Sequence, residues 1–544
     1  MKTWVVEVEA AYQIGLQQVL SGFSWPIAQS RYDELSGDVL KLLQRQYRSI
    51  GNDGELGTLL AIAAVDLANE YNYFLACLVD VTHARQSGVQ LVYSDSCILY
   101  PMLDQNLFYQ RFSGLERNQS YYRIRGARSL KQRLSGQLQD LHLKFRATAT
   151  VPENYFFSAN RLLQQWRSDN AFSIQRLHSD LRRSQSSPSL LPSPVTEFSG
   201  HLADEVSGLL ANRGCHVTEE AKRYLDQMTR FYLGSAWIQL RYPFPSSIKF
   251  QTGKLMVGTG GNAASRVISH EFQRHGQPVF RFSHGGDRGL FDDWTWGLIE
   301  LSFTDVYVAH GRGEGTRMRE RLADGPHPLM LSTRPNVVAI GSGFHKKIYD
   351  ASQTERTEKQ IKNVMLTTAS LNGENRHLPF IKVHDLVYLD WHVGLIRGLE
   401  ESGYHVTAKR HPKGILSKEP LLGNFCEDEV VGGQFSNMLN CADAFVLDIA
   451  GSTFAEALCT LKPVVLVDLG NRPFNSTARR DLETCCRIVS AVIQENNRIV
   501  IDIDLVADAI ETPVDTDARR EFVNEYFLQP STNLEEVMES LAAS

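Results

Sequence analysis

The chain lacks a Cys-x-x-Cys pair, an apolar run long enough to span a bilayer, and any excess of positive charge. Its eight cysteines are scattered, and only Cys485 and Cys486 are neighbours. That spacing excludes a zinc ribbon, and a chain of 544 residues needs no disulfide framework. Reduced thiols in a cytoplasm are the expectation. The most apolar stretch, "LGTLLAIAAVDLANEY", falls short of the ~18 residues of a spanning helix and is broken by Asp66, so it reads as a buried helix. The opening "MKTWVVEVEAAYQIG" carries early glutamates and no apolar core, unlike a signal peptide. A net charge of −6 gives no general pull toward nucleic acid. Any anion must be held by a local site.

What the sequence does have is alternation. A hydrophobic fraction of 43% with 22% charged residues fits a soluble globular protein, and the length allows two or three domains. Residues 1 to about 85 read as helices, and Gly88 to Leu103 as a strand and a loop. From about 105 to 235 the pattern is helical and polar. This part holds the basic "YYRIRGARSLKQRL", with Arg123, Arg125, Arg128, Lys131 and Arg133, and a Ser/Pro loop from Ser184 to Val195. Strand, turn and helix then alternate through "KLMVGTGG", "NAASRVISHEFQRHG", "QPVFRFSHGG", "TDVYVAHGRGEG" and "NVVAIGSG". A polar linker is expected from Asp350 to Lys362. A second series follows: "NVMLTTAS" as strand, "HDLVYLDWHVGLIRGLEESG" as helix, "YHVTAKRHPKG" as strand, "GGQFSNMLNCA" as helix, and "DAFVLDIAG" as strand.

Such alternation implies doubly wound parallel sheets. The expected fold is α/β, a pair of Rossmann-like domains with a large N-terminal α-helical portion. The expected boundaries are 1–245 for the helical region, interleaved with the first domain, 246–355 for the first domain, 356–512 for the second, and 513–544 for closing helices.

In open parallel sheets, ligands bind at the carboxyl ends of strands. One such end carries Lys409, Arg410, His411, Pro412 and Lys413 ("KRHPK"), a cluster suited to phosphate oxygens. Another begins "DIAGSTFAEALCTLKPVVLVD", where Gly451, Ser452 and Thr453 open a helix. Thr453 and Glu456 fit a capping box, and the helix start is equally an anion site. A third, "FSHGGDRG", places His284, Gly285, Gly286, Asp287 and Arg288 after a strand of the first domain. A histidine there suits proton transfer, and glycines admit a close ligand. "VGTGGNAASR" lacks the last glycine of a dinucleotide loop and reads as an ordinary turn. His270, His275, His284 and His310 fall on different elements without a ligand pattern, so no metal is expected.

These motifs together resemble GT-B glycosyltransferases, in particular bacterial surface-carbohydrate transferases of the Kdo, capsule and polysialic acid types. The teichoic acid glycerophosphotransferases are similar too. The resemblance covers about residues 250 to 510. It implies that Lys409 and His411 bind the donor phosphate, that Gly451, Ser452 and Thr453 hold the same phosphate, and that Glu456 reaches the ribose or only caps its helix. It implies His284 at the reacting centre as base or acid, with Asp287 as a catalytic carboxylate and Asp292 and Glu300 near it, one of the three being the base of an inverting enzyme or the nucleophile of a retaining one, and Gly285, Gly286, Arg288 and Glu300 on the acceptor side. No cofactor is implied beyond a nucleotide-activated sugar, with a CMP-linked acidic sugar favoured. The acceptor would be a glycan, a lipid-linked molecule or a protein, with a possible peripheral membrane contact through 123–133 at the inner face of the membrane. A CDP-activated polyol-phosphate transferase and a non-catalytic nucleotide-binding scaffold are the alternatives. Two departures stand out: Arg410 where such families commonly have Pro, and Asp287–Arg288 where an aromatic often precedes the last Gly.

Overall fold

The computed structural model describes residues 2–50, 54–95, 97, 99–105, 154–169, 174–176, 191–241, 250, 253–292, 297–323, 335–353, 360–371 and 383–543. The basic segment 123–133 and most of the Ser/Pro stretch lie outside the described residues. Two six-stranded parallel sheets dominate. The first is built from β1 (Asn154–Phe157), β2 (Ile174–Arg176), β3 (Lys254–Val257), β4 (Val279–Phe282), β5 (Val306–Ala309) and β6 (Asn336–Ala339), in the order β2-β1-β3-β4-β5-β6. The second is built from β7 (Asn363–Thr367), β8 (His405–Lys409), β9 (Asp428–Val430), β10 (Ala444–Leu447), β11 (Val464–Asp468) and β12 (Arg487–Ser490), in the order β9-β8-β7-β10-β11-β12. Most of their core strands are buried on both faces, as near-continuous apolar runs such as "VFRF", "VYVA" and "AFVL" predict. The two parallel, Rossmann-like sheets expected from the sequence are therefore present.

The helices that position the site are α1 (Gln29–Ile50), α2 (Glu55–Ser87), α3 (Arg161–Asp169), α4 (Ser193–Asn212), α5 (Glu219–Arg241), α6 (Ala263–Arg274), α7 (Arg312–Ala323), α8 (Gly343–Ser352), α9 (Asp385–Glu401), α10 (Ser452–Leu458), α11 (Ser476–Cys485), α12 (Thr516–Val523) and α13 (Leu534–Ala543). The "LGTLLAIAAVDLANEY" stretch is the first half of α2, and its apolar residues are nearly all buried. Among the described residues no helix is long and apolar enough to cross a membrane. All eight cysteines are free thiols.

Several local expectations change. The first sheet takes β1 and β2 from within the region read as helical, because "NYFF" is too short and too aromatic to show a helical period. "GGQFSNMLNCA" is not a helix but two short 3₁₀ turns, Phe435–Asn437 and Leu439–Cys441. Gly432 and Gly433 enter it with left-handed φ, and Lys462 Nζ takes the carbonyls of Leu439 and Ala442 that a helix would use. The expected linker begins as the end of α8, and 354–359 lie outside the described residues.

The C-terminal segment crosses between domains. Phe522 of α12 lies in the core of the second domain, and the Arg519 guanidinium bonds the Cys485 carbonyl at 2.6 Å. The chain then passes the tips of β5 and β6, where Ser342 N donates to Phe527 O at 2.8 Å. It ends with Leu534 and Met538 packed under the first sheet against Phe156 and Phe280.

Candidate functional site

The carboxyl edges of the two sheets face one another. On the first sheet, Asn160 caps α3 by accepting from Leu163 N, while its amide lies 2.8, 2.9 and 2.7 Å from the carbonyls of Gly258, Phe282 and Ser283. This one side chain ties the ends of β1, β3 and β4. The "GTGG" turn needs its glycines for close backbone approach. A Cβ on Gly258 would lie 2.3 Å from Asn160 N, and one on Gly260 1.8 Å from the Ile299 carbonyl oxygen. The turn is thus packing chemistry, as the missing last glycine of the dinucleotide pattern suggested.

His284 follows β4 and keeps solvent-accessible surface, yet protein surrounds it on most sides. It sits at the bottom of a crevice. Burial, then the Arg288 and Lys413 charges, push its pKa down to about 4. The Lys413 effect matters for geometry, because Lys413 belongs to the second domain. Its neighbours close the same gap. A Cβ on Gly285 would lie 4.0 Å from Ser452 N, and one on Gly286 2.8 Å from the Ala455 Cβ. The two glycines therefore let the domains touch at the start of α10.

The carboxylates near His284 are not free. Asp287 is buried, with one oxygen 2.7 Å from Arg288 Nη1 and the other 3.1 Å from Arg472 Nη1 of the second domain. Burial raises its pKa, but the two guanidiniums overcome this and hold it below the usual range. As a base it would first have to leave both ion pairs, so its position fits a cross-domain clamp better than a proton acceptor. Glu300 lies in a π-helical turn, Gly297–Leu301, fully buried, and takes Arg288 at 3.2 Å. Burial raises its pKa despite Arg288 and Arg281. Asp292 is exposed and accepts from Asn475 at 3.1 Å. Beside it Phe291 pairs with Phe474 across the domains, their rings 4.4 Å apart.

On the second sheet, Lys409 ends β8 but turns back, its Nζ donating to the Arg410 carbonyl at 2.7 Å. Arg410 is also buried, on the carbonyl of Glu419 and 3.5 Å from the Glu429 carboxylate. The residue that departs from the family pattern is thus structural, holding the loop that follows. His411 is half-buried and Lys413 exposed, so these are the members of the motif that reach the cleft, and burial, with the Lys413 and Lys409 charges, lowers the His411 pKa. Ser452 is exposed and Thr453 half-buried at the start of α10, whose cap residue Gly451 has no side chain to occupy the first N–H groups. The capping box does not form. Glu456 instead pairs with Arg161 of α3, across the domain boundary, and burial raises its pKa despite that partner.

Sequence reading did not find Asn160, Arg161 or Arg472. Each lies on a helix end or turn remote in sequence from the motif it serves, and nothing local marks it. His310, singled out among the histidines, is anchored by Glu314 at 3.0 Å, which also accepts from Tyr307 at 2.8 Å. Among the described residues no group of three or more His, Cys, Asp and Glu side chains is placed to hold a metal ion.

No family profile matches the chain, and no curated protein matches it. Among solved structures it is similar to UGT89C1 of Arabidopsis thaliana complexed with UDP, at 12% identity and a TM-score of 0.36, over 75% of this chain and 96% of that one. It is similar to the glycosyltransferase SnogD of Streptomyces nogalater, at 9% identity and a TM-score of 0.33, over 72% of this chain and 100% of that one. Anabaena HepE in complex with UDP matches at 10% identity and a TM-score of 0.30, over 72% of this chain and 99% of that one.

Proposed function

We propose that the cleft binds a nucleotide-activated sugar on the second domain and transfers the sugar to an acceptor held against the first. The observation that carries this reading is that Lys413 of the second domain lies within electrostatic reach of His284 of the first, at the carboxyl edges of both sheets. His411 and Lys413 stabilise the phosphate of the departing nucleotide, and the start of α10 adds backbone N–H groups to it. His284, neutral at ordinary pH, accepts the proton of the acceptor hydroxyl as that oxygen bonds to the anomeric carbon. The bond from that carbon to the phosphate oxygen breaks, and the nucleotide leaves with the electron pair. Asp287 and Arg472 hold the two domains at this spacing. The donor we favour, a CMP-linked acidic sugar, rests on the likeness of "KRHPK" and "HGG" to surface-carbohydrate transferases.

The test is nucleotide binding followed by turnover. Thermal unfolding is measured with CMP, CDP, UDP, GDP and dTDP on wild type, His284→Ala and His411→Ala. A bound nucleotide at about 100 times its dissociation constant stabilises by ~2.7 kcal/mol. The expected result is stabilisation by one of them in wild type and His284→Ala, lost in His411→Ala, with sugar transfer reduced ~10²-fold or more in His284→Ala. Transfer activity retained in full by both variants removes the assigned site. A new phosphodiester in the product identifies a polyol-phosphate transferase instead.

A further inference from the structure

Behind "KRHPK" the second domain has a small pocket at the ends of β7 and β8. Thr368, Arg410, His411 and Lys413 line it, with Leu389 and Leu421 as apolar wall. His392, from the middle of α9, also lines it. His392 is buried, and its Nε2 lies 2.9 Å from Asp448 Oδ2. Asp448 ends the strand that leads into Gly451 and Ser452, and it also accepts from Trp391 Nε1 at 3.2 Å. The Tyr388 hydroxyl is a further hydrogen-bond partner of Asp448, so the carboxylate is held by three side chains of one helix. The Tyr388 ring stands edge-on to the imidazole at 4.1 Å and fixes its plane. A buried, oriented His–Asp pair is more than the fold needs at a helix–sheet contact.

We propose that His392, positioned by Asp448, is the residue that recognises a ribose hydroxyl of the nucleotide donor. The inference rests on the reading that the cleft binds a nucleotide. The Asp448 carboxylate at Nε2 selects the tautomer with the proton on that nitrogen, which leaves Nδ1 as the acceptor of a ring that lines the pocket. An acceptor repels phosphate oxygens and takes a hydroxyl or amino proton. His411 and Lys413 beside it take an anion. A hydroxyl donor next to an anion is the signature of a sugar phosphate. The leucine walls leave room for a hydroxyl-sized group and not for a base ring. Asp448 also sets the direction of the turn into Gly451 and Ser452, so one carboxylate aligns the hydroxyl ligand with the start of α10.

The test compares ribonucleotides with their 2′- and 3′-deoxy forms by calorimetric titration, using whichever of CMP, CDP, UDP or GDP binds wild type most tightly. His392→Gln keeps an amide near the Nε2 position, and so the Asp448 contact, but removes the pocket nitrogen. His392→Asn keeps a polar atom near Nδ1. Wild type is expected to prefer the ribonucleotide by roughly 3- to 10-fold over one deoxy form, the worth of one neutral hydrogen bond. His392→Gln abolishes that preference while its unfolding temperature and circular dichroism stay at wild-type values. His392→Asn restores part of it. If His392→Gln folds and keeps the wild-type preference, the inference is wrong and the nucleotide site stands. If it weakens inorganic pyrophosphate as much as both nucleotide forms, His392 is a phosphate ligand and the inference is again wrong. If no nucleotide binds wild type, the inference falls together with the reading beneath it.

Discussion

At the scale of single residues, the site is defined by how each charge is compensated. Lys409, Arg410, Asp287 and Glu456 are buried and held by partners, so their charges serve the frame. His284, His411 and Lys413 reach the cleft. His284 makes a pH prediction. A histidine in an unfolded chain titrates near ~6.5, and in the folded protein burial and two cations bring His284 down to about 4. Between those values the unfolded chain binds a proton that the folded one rejects, so this residue's contribution to stability falls as pH falls through that window. Above about 4 it stays neutral and competent as a base. The histidine ring resonance that His284→Ala removes should belong to an imidazole still neutral at pH 5. A midpoint near ~6.5 for that resonance would mean that His284 sits in open solvent and not in a crevice.

At the scale of elements, two glycines separate close approach from mere flexibility. Gly260 has the Ile299 carbonyl where its Cβ would be, and both lie in turns that build the floor of the site. Gly260→Ala forces the backbone to move and should destabilise by about 1–3 kcal/mol or more. Gly394 lies inside α9, and a Cβ there meets nothing within 4 Å. Gly394→Ala should stabilise by ~0.5–1 kcal/mol through helix propensity alone. Denaturant midpoints of the two variants measure both effects, and shifts of the same sign would contradict this assignment. The π-helical turn at Gly297–Leu301 belongs to the same floor, and it delivers Glu300 beneath Arg288.

At the scale of the whole molecule, the N-terminal helices bind both domains. Arg266 of α6 reaches α2, its Nε on the Ile62 carbonyl at 2.6 Å and its Nη2 on Asp66 at 2.7 Å. On the other side, Trp25 stacks on His384 at 3.7 Å, and His384 caps α9 by accepting from Leu386 N. Asn497 adds a bond to the Ile27 carbonyl. One apolar core runs from α1 and α2 into the second domain. The helical portion is therefore a brace across the cleft, and it should unfold with the domains. Trp25→Ala should cost about 3–5 kcal/mol and, in calorimetry, move the main transition as a unit. A separate early transition that alone shifts would show the helices to be an independent domain.

The sequence by itself determined the two alternating series and the motifs at their strand ends. Period and turn chemistry are local properties, so "VYVA", "AFVL", "HGG" and "KRHPK" could be placed without knowing their neighbours. Tertiary structure alone decided which motif charges act. Nothing in "KRHPK" says that Lys409 turns back onto a carbonyl while the Lys413 charge acts on His284, because both depend on how the chain returns. The strands β1 and β2 were hidden within a helical context, and pairing with β3 supplies the hydrogen bonds that make "NYFF" a strand. Glu456 shows the reason most plainly. Its spacing from Thr453 fits a cap, yet Arg161 lies 295 residues away in sequence and in contact in space. Glu456 takes the Arg161 guanidinium and the Ser436 backbone N–H in place of its own helix's cap, because a buried carboxylate needs charge and hydrogen bonds to offset part of its desolvation.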